Sequence, residues 1–338
     1  GALRSRFGFE ERAIEQGFGM DDRTLCVLPI CLGAGCVYTL LPLYLGASIR
    51  LHEHFDAGAV IDAIEHERID STMLLPAMLQ AMVEHPRFHS ADLASLRVIQ
   101  SGAGALSGTL KRALLERFGD GILNIYAASS EVGPYANLKG AEVRDHLDSN
   151  CVGRPFFGVE LKLLGDDGAE VAPGEVGEIC CRSESQYDEY FEDPKLTAST
   201  RRGDFLTGGD RGRLDANGLL HFVGRKRDII KSGGINIYAS EIEEALQQHP
   251  GVAEAHCVGL PDDRWTELIC AVIVPRAGQQ PTADDITAFA AAHLAAYKKP
   301  RRVVFMAEVP KNLTGRVLKT QLVEQVLALP TPDTKETA

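Results

Sequence analysis

Between residues 24 and 126 the chain alternates short apolar runs with stretches whose apolar positions recur at helical spacing. Runs 25–29, 47–51, 72–75, 97–100 and 123–126 read as strands, and 58–67 and 109–118 as helices. In the latter, Leu110, Leu114 and Phe118 recur at i, i+4 and i+8, which stacks them on one face for burial. Strands alternating with helices predict βαβ units and a largely parallel sheet.

The texture changes after Asn150. Short strands at 159–163, 178–181 and 219–223 are broken by glycine and proline, which predicts a smaller β unit. A third pattern begins near Asp228. Ser240 followed by Glu243 has the spacing of a capping box and predicts the start of a helix carrying Ile242 and Leu246. Strands at 253–258 and 268–274, a helix from Thr282, a strand at 302–306 and a helix after Lys319 complete an α+β tail domain. The expected division is an α/β part at 1–150, a β-rich part at 151–226, an α+β domain at 227–328 and a loose end at 329–338.

Composition narrows the function classes. The chain has 338 residues, 45% hydrophobic and 24% charged, which suits folded domains and excludes a disordered chain. Its net charge of -12, with no basic block, argues against a nucleic-acid partner or an anionic membrane surface. No apolar run approaches the ~20 residues needed to span a bilayer. Eight cysteines lie in apolar runs without C-x-x-C pairs, the pattern of reduced core thiols in a cytoplasmic protein.

Two glycine-rich segments carry candidate chemistry, Ser101-Gly-Ala-Gly-Ala-Leu-Ser-Gly108 and the run from Gly224 to Tyr238. The first comes after a strand and opens a helix, so its amides suit an anion or a flat ring; from this segment alone a tight turn without a ligand is the better reading. More specific is the order in which other segments succeed one another: Leu28-Pro29, Asn124-Ile-Tyr-Ala-Ala-Ser-Ser-Glu131, Thr207-Gly-Gly-Asp210, Asp215-Ala-Asn-Gly218, Gly224-Arg225, Ser240-Glu-Ile-Glu243, Gly259-Leu-Pro-Asp262 and Val309-Pro-Lys-Asn-Leu-Thr-Gly-Arg316. In this order they resemble the motifs of the adenylate-forming superfamily, and in particular its acid-CoA ligases.

The resemblance implies a partial αβαβα-type large domain, a small β unit and a mobile α+β carboxy-terminal domain. It also implies sites. Asp210 and Arg225 match the ribose ligands, roles that suit a two-oxygen acceptor and a five-donor fork. Ser101, Gly102 and Ala103 match the adenine-facing backbone. Tyr126 offers a ring for stacking, with a buried strand tyrosine as the rival reading. Glu131 matches the magnesium-binding glutamate, a hard oxygen ligand. The segment is one residue longer than the family's Y-G-x-T-E, so the hydroxyl of its threonine corresponds to Ser129 or Ser130, and Ser130, adjacent to Glu131, is preferred. Arg227 falls at the hinge, Gly233 and Gly234 in the loop lining the pantetheine tunnel, and Cys31, Gly35, Ala103 and Gly104 along the acyl pocket. Trp265 reads as packing first and CoA contact second.

Two departures stand out. Residues 1–6 match the stretch directly downstream of the family's phosphate-binding loop, with Ser5 and Arg6 in place of its Ser-His pair, so the loop itself is expected upstream of this chain. Where the family carries its catalytic lysine, this chain has Arg316, a planar fork instead of a compact ammonium. The implied activity uses ATP, Mg2+ and coenzyme A: a carboxylic acid is converted to acyl-AMP and then to a thioester. The chain alone is expected not to adenylate. The alternatives are transfer to a carrier-protein thiol, or a degenerate nucleotide-binding protein. A homo-oligomer, and a second chain supplying the upstream segment, remain open.

Overall fold

The computed structural model of the chain describes residues 14–184, 186–312 and 317–329. They form two compact units, with the division between Phe222 and Val223.

The first unit is built on a sheet of mixed direction. Strands β1 (Arg23–Cys26), β2 (Ser48–Leu51), β3 (Ser71–Met73), β4 (Val98–Ser101) and β5 (Leu123–Ser129) lie parallel in the order β2-β1-β3-β4-β5. Helices α1 (Gly33–Leu45), α2 (Ala57–Glu67), α3 (Pro76–Glu84) and α4 (Gly108–Phe118) alternate with these strands. Apart from the edge strand β2, which is mostly exposed, both faces are buried: Leu25, Ile99, Leu123 and Ile125 join one apolar cluster, while Cys26, Met73 and Tyr126 join another. Such two-sided burial explains why these strands read as continuous apolar runs.

The first strand ends at Cys26, short of the expected 29, because proline at position 29 has no amide to give to a ladder. The fifth runs on to Ser129 and turns into β6 (Gly133–Lys139), which pairs with it antiparallel. Short helix α5 (Glu142–Asp145) comes next, then β7 (Cys151–Pro155), which joins β6. From there the sheet continues through β8 (Glu160–Leu164), β9 (Gly177–Arg182), the two-residue strands β10 (Arg201–Arg202) and β11 (Phe205–Leu206), β12 (Asp210–Leu214) and β13 (Leu220–Arg225). Helix α6 (Pro194–Ser199) lies between β9 and β10.

The second unit packs α7 (Ala239–Gln247), α8 (Ala283–His293) and α9 (Lys319–Ala328) with a sheet. That sheet has the order β15 (Ile235–Tyr238), β14 (Ile229–Ser232), β17 (Thr266–Pro275) and β16 (Val252–Asp262), and β18 (Arg302–Phe305) pairs with β17. The expected capping box at Ser240 and Glu243 does not form. Ser240 lies inside α7, its hydroxyl donates to the Val223 carbonyl, and Glu243 accepts from the Cys257 amide and Lys319 Nζ. Tertiary partners outbid the local pairing. At α8 a capping box is present, between Thr282 and Asp285.

Among the described residues no helix is long and apolar enough to cross a membrane. All eight cysteines are free. Six are buried, but Cys36 is only partly so and Cys31 is exposed, which corrects the expectation that all are core thiols. Cys31 sits in the turn between β1 and α1, where no strand holds it inward.

Candidate active site

The hairpin of β5 and β6 positions one carboxylate of the site and the entry to β12 positions the other. Glu131 occupies the hairpin turn, and the turn is fixed because Ser129 Oγ accepts from the Val132 amide at 3.2 Å. Across from it runs Thr207-Gly208-Gly209-Asp210. A side chain at Gly208 would meet Ser129 Cβ at 2.7 Å and Glu131 Oε2 at 3.3 Å, so glycine is what permits this approach. Thr207 is held from behind. Its hydroxyl donates to Glu178 Oε1 at 3.2 Å and accepts from the Gly209 amide at 3.0 Å, while Arg202 pairs with Glu178 at 3.1 Å.

Asp210 is 3% exposed, and Tyr135 donates its hydroxyl to Asp210 Oδ2 at 3.0 Å. A buried carboxylate needs such donors to offset lost hydration. Tyr190 donates to Glu131 Oε1, and the Tyr187 amide donates to the Glu131 carbonyl at 2.9 Å. Burial first, and then the carboxylate it serves, raise the Tyr190 hydroxyl above its ordinary pKa, so it keeps its proton and remains a donor. Tyr135, Tyr187 and Tyr190 went unread in the sequence, since no spacing rule connects them to the motifs.

The glycine-rich segment after β4 begins with a buried anchor, Ser101, whose hydroxyl donates to the Leu74 carbonyl at 2.8 Å. Gly102 lies against Tyr126; a Cβ there would come within 2.8 Å of the Tyr126 carbonyl. Ala103, Gly104 and Ala105 are exposed, and Ala103 takes φ 62°, a left-handed conformation unusual for a residue with a Cβ. Ser107 caps α4 by accepting from the Leu110 amide at 3.2 Å. The Tyr126 ring is packed in the core beside Tyr38, with centroids 6.1 Å apart, and its hydroxyl meets Met73 Sδ at 3.2 Å. Gly35 is equally enclosed, since a Cβ would collide with the Pro29 carbonyl. Ser130 is exposed beside Glu131.

The remaining expected site residues belong to the second unit. Arg225 ends β13, and Arg227 is exposed in a 3-10 turn at Lys226–Asp228. Gly233 and Gly234 form the two-residue turn between β14 and β15 at φ 58° and 80°, values that suit glycine. Trp265 packs on Gly233: the Gly233 amide donates to the Trp265 carbonyl at 2.9 Å, and a Cβ on Gly233 would meet the indole at 3.0 Å. On Trp265 lies Arg301, with its guanidinium 3.8 Å from the ring centroid. Lys311 and Lys319 are engaged elsewhere, with Glu254 at 2.6 Å and Glu243 at 2.9 Å. Arg316, Ser5 and Arg6 lie outside the described residues.

A family described as AMP-binding enzyme matches residues 2–191, and one described as AMP-binding enzyme C-terminal domain matches 241–316. Indoleacetate–CoA ligase of Aromatoleum aromaticum is 38% identical over 309 residues, covering 91% of this chain and 60% of that protein. Feruloyl-CoA synthase from an Amycolatopsis species is 35% identical over 313 residues, covering 91% of this chain and 62% of the relative. The chain therefore spans about three-fifths of the length of these relatives. Among solved structures, amide bond synthetase McbA from Marinactinospora thermotolerans superposes with a TM-score of 0.86 at 31% identity, over 94% of this chain and 65% of that one.

Proposed function

Because the chain belongs to the AMP-binding enzyme family, we propose that it is the adenylate-handling part of an AMP-forming acid–CoA ligase acting on an aromatic carboxylic acid. The observation that carries the proposal is the meeting of Glu131 with the Thr207-Gly208-Gly209-Asp210 segment, whose buried carboxylate is already held by Tyr135. In this reading Asp210 accepts from the ribose hydroxyls and Arg225 adds donors to the same sugar. The exposed backbone from Ala103 to Ala105 faces the adenine. Cys31, Gly35, Ala103 and Gly104 line the acid's pocket in this reading, and an aromatic acid is favoured because the two relatives are named for indoleacetate and ferulate.

The donor set fits a hard divalent cation: Glu131 would hold Mg2+, which when bound supplies positive charge toward the nucleotide phosphates. The protein's own part is positioning. The acid's carboxylate attacks the α-phosphorus, the bond to the bridging oxygen breaks, and pyrophosphate leaves. The CoA thiol then gives up its proton and attacks the acyl carbon, and AMP departs. In the first step Ser130 donates its hydroxyl to a phosphate oxygen, Glu131 would act only through the cation it holds, and Arg316 supplies positive charge. Arg227 is the hinge, and Gly233 and Gly234 line the thiol's approach in the second step.

Pyrophosphate release from ATP by the protein extended upstream through the expected phosphate-binding loop, measured over a panel of acids with CoA or an acyl-carrier protein as acceptor, tests this reading. Aromatic acids with CoA should be preferred. Release independent of any acid, or acceptance of the carrier thiol alone, would replace it. With the upstream segment restored, Arg316→Lys is expected to raise acid-dependent pyrophosphate release and to leave thioester formation from supplied acyl-AMP nearly unchanged.

A further inference from the structure

Away from the adenylate residues, the first unit brings together His146, Cys151 and His221. One candidate ligand atom from each lies within 4.8 Å of the other two. We propose that this cluster binds a single Zn2+-type cation.

The strand register builds it. His221 on β13 pairs directly with Cys151 on β7, and cross-strand partners project on the same face of a sheet. His146 ends α5 and enters edge to face, its ring centroid 5.8 Å from that of His221. The segment that carries it is clamped by buried Lys111, whose ammonium donates to the carbonyls of His146, Leu147 and Ser149 at 3.0, 3.2 and 2.8 Å. Cys151 is 1% exposed, so the site is roofed by protein on its sulfur side.

Chemistry selects the ion. Two imidazoles and a thiol form a nitrogen and sulfur set that suits Zn2+ far better than Mg2+ or Ca2+. Behind His221 stands Asp215, with Oδ2 3.0 Å from Nε2, and its other oxygen accepts from the amides of Asn217 and Leu219 at 2.9 and 3.0 Å. A carboxylate on one imidazole nitrogen fixes the ring so that the other nitrogen can ligate, the arrangement that supports metal-binding histidines. Cysteine ligates a metal as its thiolate. Binding therefore exchanges one thiol proton for one sulfur–metal bond, and the proton leaves to solvent.

The second cluster with ligating groups contrasts with it. Asp62, Glu65 and His66 are mostly exposed, and Arg87 already pairs with both carboxylates, so that cluster serves as the control.

The test uses the chain reduced, stripped with chelator and titrated with Co2+ as the spectroscopic probe. One equivalent should produce a thiolate-to-cobalt charge-transfer band that Zn2+ then abolishes, with one proton released per ion in weak buffer. Cys151→Ala should remove the band and the proton release; Cys31→Ser and His66→Ala should keep both. Asp215→Asn preserves the turn acceptor and should weaken binding about 10- to 100-fold. Should Cys151→Ala fail to fold, protection of Cys151 from thiol alkylation by Zn2+ in the unsubstituted chain decides instead. A missing band, a band surviving Cys151→Ala, or alkylation of Cys151 unaffected by Zn2+ would each overturn the site.

Discussion

The two regions that carry the family's motifs are built by opposite means. In the first unit, Asp210 is buried and Glu131 half-buried, each receives a tyrosine hydroxyl, and Gly208 fits only because it lacks a side chain. In the second, Gly233 and Gly234 form an exposed turn of left-handed backbone, propped on one side by Trp265 and open on the other. Groups meant to hold one ligand in one pose gain from being fixed before it arrives, since no reorganisation is then needed. For the turn, the role proposed above, passage of a flexible thiol-bearing chain, would gain from small residues and free space.

Several substitutions would sharpen or break this contrast. The largest effect is expected from Asp210→Ala, which should weaken binding of a nonhydrolysable acyl-AMP analogue by about 100-fold, as lost charge-assisted bonds of ~3 kcal/mol imply. Calorimetry checks it, and unchanged affinity would strip Asp210 of its role.

Gly208→Ala should lower stability by about 1–3 kcal/mol, the usual range for an overpacked contact. Adding Ser129→Gly should recover part of that loss, because the Cβ it meets is then gone. Additive losses in urea unfolding would show that the two residues do not meet.

In the other region, Gly233→Ala should cost about 2 kcal/mol, backbone strain and the indole contact together, and Gly234→Ala about 1 kcal/mol from backbone alone. The basis is that nothing stands within 4 Å of a Cβ at Gly234. Equal losses at the two positions would mean that Trp265 is not propping the turn.

A further effect concerns acid. The hydrogen bond from His256, and then Lys311, hold the Glu254 carboxyl down at about 2. A depressed carboxylate pKa contributes stability that is present above its unfolded value and is lost as pH falls through the folded one. Stability of the second unit should therefore decline between about pH 5 and pH 2. Glu254→Gln should flatten that decline, and an unaltered acid limb would assign it to other carboxylates.

Much of this was legible in the sequence, and the reasons differ by residue. The parallel strands read clearly because burial on both faces leaves a continuous apolar run, as at 97–100 and 123–126. Glu131 and Asp210 stood out through the order of motifs around them. Their partners did not: Tyr135 reaches Asp210 across 75 positions and Tyr190 reaches Glu131 across 59, and side chains joined by the fold leave no local pattern. His146, Cys151 and His221 were hidden likewise, since the register of β7 against β13 makes the cluster. Ser240 shows the converse, a local rule that applied until the Val223 carbonyl offered another acceptor.

The distribution of thiols turns the molecule into its own clock. Burial raises the pKa of Cys151 and Cys181 in the first unit, and of Cys257 and Cys270 in the second, where Cys270 reaches about 12. An alkylating reagent at neutral pH meets exposed Cys31 at once, whereas the other four must wait for the chain around them to open. Their modification rates, separated by peptide mapping, would time local opening in each unit independently and without an added label. Zn2+ should slow only one of those clocks, the one at Cys151.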